Sequence, residues 1–351
     1  MKNEIKRVLV TGATGHIGYN ICMAILESKI ELIVLGRQNE SNFRQGFSLP
    51  CKYFQWKKPA ESLPPLQAMD VDAVIHLMGE PLDGRRWTEQ RKLELHSSRI
   101  NSTINMVNAI EGAVGRIKIL VTASAIGIYG DGGDNTLTER SKISDGFLAK
   151  LCQDWEQEAK KSTCRNAQLR FGIVLANDSR ALKKMLPVFE NGFGGPLSSG
   201  NQWMSWVHIE DVVGITMKTL HDPKLAGQIN IVSPEPVRNR EFTKLLASAL
   251  KVKAILPVPK IALRLVLGEM AGVVLSSQKV IPEKAVANNY TFKFTNLDEV
   301  FRSLFSWKES CHDRLFEQQQ WTPKPLNDVF DFFSDVKNLE ELTPPLLNFK
   351  V

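Results

Sequence analysis

One short stretch constrains this chain more than any other. The apolar run at residues 7–10 leads directly into Thr-Gly-Ala-Thr-Gly-His-Ile-Gly, residues 11–18, and a helical pattern continues from there. Gly12 permits a tight turn, Gly15 lets the backbone approach a pyrophosphate, and Gly18 allows close packing of the helix on the strand. The amides and dipole at the start of that helix favour an anion. A loose glycine triplet also occurs in ordinary strand–helix turns. Here a strand precedes it, a helix follows it, and a second strand begins on schedule at residues 31–35. The pattern specifies a dinucleotide-binding turn.

The rest of the first half continues that rhythm. Strand-length apolar runs fall at residues 52–56, 73–78, 117–123 and 168–176, with helical patterns at 17–28, 88–111 and 147–162. Near-continuous apolar strands separated by helices imply a parallel sheet buried on both faces. The expected fold is therefore α/β, a Rossmann doubly wound parallel sheet. After residue 176 the pattern changes to a helix at 180–190, a Gly/Pro/Ser-rich loop at 191–202, a Trp-rich segment, a strand at 228–232 and helices at 238–250 and 261–276. Such a mixed tail builds a smaller C-terminal substrate lobe over the carboxyl edge of the sheet. The expected division is a unit of residues 1–308, with its Rossmann core at about 1–178 plus parts of 203–235 and its small lobe from about 179–202 and 236–308.

At the end of the second strand an NAD-binding protein offers Asp or Glu to the ribose hydroxyls. This chain has Gly36 and Arg37 there. A small residue followed by a guanidinium makes room for a 2′-phosphate and pairs with it, so NADP(H) is expected over NAD(H). The alternative is a loop arginine facing solvent.

Composition limits the partners. Forty-four Lys plus Arg against 38 Asp plus Glu leave a net charge of +6, which suits an anionic small molecule. With no clustered basic stripe, no nucleic acid is expected. The pairs Lys160-Lys161 and Lys183-Lys184 read as solvated helix faces. The five cysteines are widely spaced without a C-x-x-C pair, which fits a reducing cytosol. The N-terminus lacks a signal peptide's apolar core, and the apolar run 261–275 is interrupted by Arg264 and Glu269. A cytoplasmic protein with no membrane span and no metal site is expected.

Longer motifs add a resemblance. TGATGHIG (11–18), DAVIHLMGEP (72–81), GRRWT (84–88), SSRINST (97–103), TASAIGIYG (122–130), FLAKLCQDWE (147–156), FGGPLSSGNQWMSWVHIEDV (193–212) and SPEPVRNREF (233–242) together resemble the extended short-chain dehydrogenase/reductases. The closer likeness is to their atypical epimerase/dehydratase-like branch, also described as cell-division-inhibitor-like, over residues 6–304 or so. The resemblance implies a Rossmann domain with NADP(H), a small C-terminal lobe, and a homodimer through helices near 88–111 and 147–162. Carried over by position, it places Gly12, Thr14, Gly15, His16, Ile17 and Gly18 at the pyrophosphate and Gly36 and Arg37 at the adenosine phosphate. His76, Leu77, Gly79 and Glu80 would line the ribose side, with Ser98 and Arg99 as further contacts. His76 is equally readable as a strand-end histidine satisfied by backbone groups, and no acid–base role is assigned to it.

The superfamily's Tyr-x-x-x-Lys pair is missing. Aligning on Glu156 puts Leu148 at the tyrosine position and Cys152 at the lysine position. Leucine has no proton to transfer, and an unactivated thiol provides no fixed cation. The branch itself shows this L-x-x-x-C spacing, so Cys152 reads as a packed thiol. The remaining proton-transfer candidates are Ser124 and Tyr129, with a packing role for Tyr129 an equal alternative. Arg170, Gln202, Trp203 and Trp206 are the candidate substrate contacts: Arg170 for an anionic group or else for a buried carboxylate, the tryptophans for stacking on a ring. His208 and Asp211 read as groups that fix the lobe by hydrogen bonds.

The expected function is an NADP(H)-binding oxidoreductase or nucleotide-sugar epimerase-like enzyme acting on an unknown small substrate. The alternative is a non-catalytic NADP(H)-binding regulator or scaffold, linked to cell division by the branch's description. The final segment, residues 309–351, differs in composition. From Cys311 onward it holds seven acidic and four basic side chains, with six aromatics including Phe330, Phe332 and Phe333. It resembles the opening of a helix-grip domain of the START/polyketide-cyclase type, which about 40 residues cannot complete. An amphipathic extension is the alternative.

Overall fold

In the computed structural model the described residues are 4–113, 115–254, 256–306, 326–335 and 338. Seven strands form one sheet: β1 (Arg7–Thr11), β2 (Glu31–Gly36), β3 (Lys52–Gln55), β4 (Ala73–His76), β5 (Ile119–Ala125), β6 (Arg165–Phe171) and β7 (Gly227–Ile231). Their spatial order is β7-β6-β5-β4-β1-β2-β3, and every neighbouring pair is parallel. The order reverses between β1 and β4. That switch point opens a crevice at the carboxyl ends of the strands, where ligands bind in such sheets.

Alternation along each strand sends side chains to two separate cores. Val8 and Val10 of β1, with Leu32 and Val34 of β2, face one side. There they meet Ile21, Cys22 and Ile25 of helix α1 (His16–Glu27). Leu9, Ile33 and Leu35 face the other side and meet Met106, Val107 and Ile110 of helix α2 (Glu89–Gly112). Helix α3 (Phe147–Ala159) lies beside α2, joined to it by Trp155 Nε1 donating to Thr103 Oγ1 at 2.9 Å. These are the two helices the resemblance assigns to a dimer seam. Thr88 caps α2 by accepting from the Arg91 amide, which sets where that helix starts.

The sequence pattern reads residues 168–176 as one strand. The structure divides them at Gly172, where a Cβ would come within 2.7 Å of the Ser205 carbonyl oxygen. The chain bends there, and Ile173–Leu175 pairs instead with Trp206–His208. The helix expected at 261–276 is likewise broken, at Gly268, whose φ is +60°. Two short helices result, Lys260–Leu267 and Ala271–Leu275.

Helix α4 (Arg180–Glu190) begins the small lobe. Helix α5 (Ile209–His221), which the sequence pattern does not predict, returns the chain to the first face of the sheet and packs Val212 and Ile215 there. The small lobe is completed by α6 (Asn239–Leu250) and α7 (Leu297–Phe305). Its core gathers Leu182, Phe189, Trp206, Phe242, Leu246, Val300 and Phe301. Asp211, fully buried, accepts the amides of Lys293 and Phe294 and the Tyr290 hydroxyl, fixing the lobe as expected. Of the segment that resembles the start of a helix-grip domain, only the helix Leu326–Ser334 and a few neighbours fall within the described residues.

Candidate functional site

The glycine loop is built as its spacing demands. Gly12 has φ of +73°, a region open mainly to glycine, and a Cβ there would sit 3.0 Å from the Leu77 carbonyl carbon. Gly18, inside α1, lies so close to the loop that a Cβ would stand 2.2 Å from the Gly12 carbonyl oxygen. Gly15 is the N-cap of α1, and no side chain caps that first turn. That first turn also holds no acidic residue, so its free amides keep a partial positive charge.

It opens on a cleft of about 1390 Å³. Thr14, Gly15, His16 and Tyr19 form one wall, and Glu80, Ser97 and Ser98 continue it along the sheet edge. The opposite wall comes from Asp178, Arg180, Lys183 and Lys184 at the start of the small lobe. Asp83, Arg85 and Arg91 also line it. Lys183 and Lys184, which read from sequence as a solvated helix face, are exposed and also border the cleft. The loop bearing Asp83 folds against this outer face of α4. Asp83 accepts from Arg180 at 2.9 Å and pairs also with Lys184. Burial pushes the Asp83 carboxyl up, but the Lys184 and Arg180 bonds more than offset this and hold it below its ordinary range. A second contact crosses the cleft, with His16 Nδ1 2.8 Å from Asp178 Oδ1.

The other residues expected around a cofactor occupy distinct layers. Arg37, with its side chain 67% exposed, lies 2.7 Å from Glu80 Oε1. Beside it, a Cβ on Gly36 would meet the Tyr53 hydroxyl at 2.7 Å. Ser98 Oγ accepts the Glu80 amide at 3.1 Å, and Arg99 Nη2 donates to the Glu80 carbonyl at 2.8 Å. Arg99 itself is buried, with Gly79 packed on its guanidinium and the Trp155 ring 5.4 Å from the same group. His76 is fully buried beneath the loop, 3.0 Å from Thr11 Oγ1 and 3.3 Å from Ser102 Oγ. Burial pushes it down to about 3. Its partners are hydroxyls, not the backbone groups of the plain reading, and it braces the turn from below. Leu77 follows it, its amide donating to Thr11 Oγ1. Ile17 packs on the core under α1.

Ser124, Tyr129 and Arg170 come together in one buried network. Ser124 Oγ donates to Glu156 Oε1 at 2.7 Å. Arg170 grips the same carboxylate at two points, Nε to Oε1 and Nη2 to Oε2, each 2.7 Å. Its Nη1 donates to the Tyr129 hydroxyl at 2.8 Å, and that hydroxyl donates to Asn230 Oδ1 at 2.7 Å. Burial raises the Tyr129 hydroxyl above its ordinary value, though Arg170 opposes the shift. Of the two roles open to Arg170, the structure shows the pairing with a buried carboxylate. Glu156, in the sequence only an alignment marker, is the hub. Its single signal was an acidic residue on an otherwise apolar face of a helix.

At the two positions that lack Tyr and Lys, Leu148 packs against Gly127, and Cys152 is buried behind Ser124. Burial, aided by the Glu156 charge, pushes the Cys152 thiol up to about 12, so it is a neutral packed thiol.

The candidate substrate residues of the small lobe lie apart from the main cleft. Trp206 is fully buried, its Nε1 donating to the Glu235 carbonyl, and it presents no ring face. Trp203 donates to Asp134 Oδ1, and its ring already carries Arg238 at 4.1 Å and Lys279 at 4.9 Å. Gln202 lines a smaller hollow of about 360 Å³ with Asp131, Ser198, Arg238 and Lys260. Among the described residues no His, Cys, Asp and Glu cluster has the makings of a metal site, and no helix is long and apolar enough to cross a membrane.

The sheet order, the switch-point cleft and the glycine-lined helix start define a Rossmann-type protein of the dinucleotide-binding class. More particularly, the model for the NAD-dependent epimerase/dehydratase family matches residues 8–232, and the chain belongs to that family. A domain of unknown function, DUF1731, matches residues 258–304. The chain is 36% identical to the epimerase family protein SDR39U1 homolog, chloroplastic, of Arabidopsis thaliana, over 86% of this chain and 88% of that one. It is 30% identical to the epimerase family protein YfhF of Bacillus subtilis, over 85% and 98%. Among solved structures it superposes on human epimerase family protein SDR39U1 (isoform 2) with NADPH at a TM-score of 0.76 and 29% identity. That match covers 86% of this chain and 99% of the human one. A nucleoside-diphosphate sugar epimerase from Corynebacterium glutamicum matches at 0.67 and 26% identity, over 97% of this chain and 69% of that one.

Proposed function

We propose that the chain binds NADP(H) in the large cleft and acts as an epimerase-like oxidoreductase on a small substrate. One observation carries the cofactor reading. The uncapped first turn of α1, cleared of side chains by Gly12, Gly15 and Gly18, opens directly on the cleft. Thr14, Gly15, His16 and Ile17 then hold the pyrophosphate, and Gly36 and Arg37 take the 2′-phosphate. The human relative solved with NADPH supports the same choice.

A bound nicotinamide would supply or accept a hydride. The chain's own part is to manage a proton. Ser124 donates its hydroxyl proton to Glu156 in a hydrogen bond, so a proton taken from a substrate hydroxyl would pass to the Ser124 oxygen as Ser124's own proton moves on to the Glu156 carboxylate. Arg170 holds Glu156 in place, and Tyr129, whose proton goes to Asn230, positions Arg170. Ser124 is thus the proton-handling residue and Tyr129 acts one step removed. Lys183 on the opposite wall suits a substrate carrying a negative charge.

The test has two parts. NADPH and NADH are titrated into the protein and into Arg37→Ala; equal affinities that ignore the substitution would remove the NADP(H) assignment. NADPH consumption is then followed against a panel of carbonyl compounds and sugar nucleotides, with Ser124→Ala as control.

A second reading has its own support. Leu148 and Cys152 fill the usual Tyr and Lys positions with packed apolar groups. A non-catalytic NADP(H)-binding regulator would bind cofactor tightly and turn over nothing on the panel.

A further inference from the structure

Glu80 stands between two arginines. Its Oε1 is 2.7 Å from Arg37 Nη1, and its Oε2 is 3.9 Å from Arg91 Nη1. The backbone on which it turns is pinned, its amide bonded to Ser98 and its carbonyl to Arg99. Only the side chain has freedom. Arg91 has a side chain just 9% exposed, and it spends its two terminal nitrogens on Glu94 and the Pro81 carbonyl. Its Nε is buried and has no hydrogen-bond partner. A buried charged donor left unpaired is costly, and its presence on the cleft wall needs a reason.

We propose that Glu80 is a swinging counter-ion that sets cofactor selectivity by moving between Arg37 and Arg91. The inference rests on the reading that Arg37 takes the 2′-phosphate. Without that phosphate, Glu80 neutralises Arg37. A 2′-phosphate and the Glu80 carboxylate cannot share one guanidinium without like-charge repulsion. When the phosphate arrives, a side-chain rotation carries Glu80 onto Arg91, where the unpaired Nε receives it. NADP(H) therefore binds at the expense of the Arg37–Glu80 pair and regains part of that cost at Arg91. NAD(H), with a plain ribose hydroxyl, leaves the pair intact.

The experiment titrates NADPH and NADH into the full chain by quenching of tryptophan fluorescence, using Glu80→Gln, Arg91→Lys, their double variant and Arg37→Ala. Arg91→Lys keeps the charge while removing Nε, and circular dichroism verifies that each variant folds. Glu80→Gln is expected to tighten NADPH about fivefold, as for loss of one partly exposed ion pair, and to leave NADH within about twofold. Arg91→Lys is expected to weaken NADPH about threefold in the otherwise unaltered chain. In the Glu80→Gln background it should have no effect, because no carboxylate is left for Arg91 to receive. An unchanged or weaker NADPH affinity in Glu80→Gln overturns the proposal, as do additive effects of the two substitutions. If NADPH preference depends on Arg37 while Glu80 is inert, the swinging counter-ion alone falls. If Arg37→Ala changes neither cofactor's affinity, the NADP(H) reading falls with it.

Discussion

Glu156 and Arg170 form a two-point ion pair whose side chains are 2% and 3% exposed, both contacts at 2.7 Å. One partner comes from α3 and the other from β6, so the pair ties the second-face helix layer to the sheet. Breaking such a pair from one side strands a charge in a medium that solvates it poorly. Glu156→Leu is expected to cost about 3–5 kcal/mol in chemical denaturation. A loss below about 1 kcal/mol would mean that water reaches Arg170 and that the network is not sealed.

The glycine loop gives a sharper contrast. Alanine at position 18 would drive its Cβ into the Gly12 carbonyl, which is backbone and cannot rotate away. Gly18→Ala should cost about 1–3 kcal/mol and abolish NADPH binding, because the loop must lift off α1 to accommodate it. Gly112→Ala, where no atom lies within 4 Å of the added methyl, is the matched control and should leave binding intact. Equal behaviour of the two variants in calorimetric titration would contradict the close-packed cradle.

His76 makes stability depend on pH in a defined direction. Its folded value is pushed down to about 3, against about 6.5 in an unfolded chain. Between these values the unfolded state binds the extra proton, so stability is fully present above about pH 6.5 and is lost as the pH falls. The contribution is a slope of about 1.4 kcal/mol per pH unit, ending near the folded value. Carboxylates add their own slope at the acid end, so the measurement is a difference. Urea midpoints of the protein and of His76→Asn, compared from about pH 7 to about pH 4, should converge as the pH drops. Parallel curves would show that His76 is protonated without penalty.

Thiol labelling should rank the cysteines. Burial pushes Cys22 far above the thiol range and Cys152 to about 12, while Cys51 and Cys164 are half-buried and raised less. Of these four described cysteines, maleimide at about pH 8 should modify Cys51 and Cys164 in the native protein and leave Cys22 and Cys152 untouched until denaturant is added. Rapid native labelling of Cys152, followed by mass spectrometry, would revive it as a reactive group. Cys152→Ala should keep NADPH binding within about threefold, since the buried thiol does not line the cleft.

What could be read without coordinates was whatever depends on neighbours in the chain. The helical period placed α2 at residues 88–111, and the glycines at 12, 15 and 18 marked the cradle by spacing. Helix α5 was missed because the polar residues of its first turn and the Trp-rich run before it hide a modest apolar face. The kinks at Gly172 and Gly268 were missed for another reason. An apolar run looks the same whether the backbone continues or turns, and only the neighbour at Ser205 shows why the first must bend.

Sequence alone therefore determined the doubly wound sheet, the anion-accepting helix start and the absence of the usual Tyr and Lys. Each rests on local periodicity or on residue identity. Tertiary structure decided the rest. It showed that Trp206 is core and Trp203 already stacked, that Lys183 and Lys184 face a cleft, and that Arg170 belongs to Glu156. The choice of partner for a charge or a ring depends on elements far apart in the chain. Desolvation at the place where those elements meet makes the right pairing favourable and the others costly, and no short stretch of sequence records where that place will be.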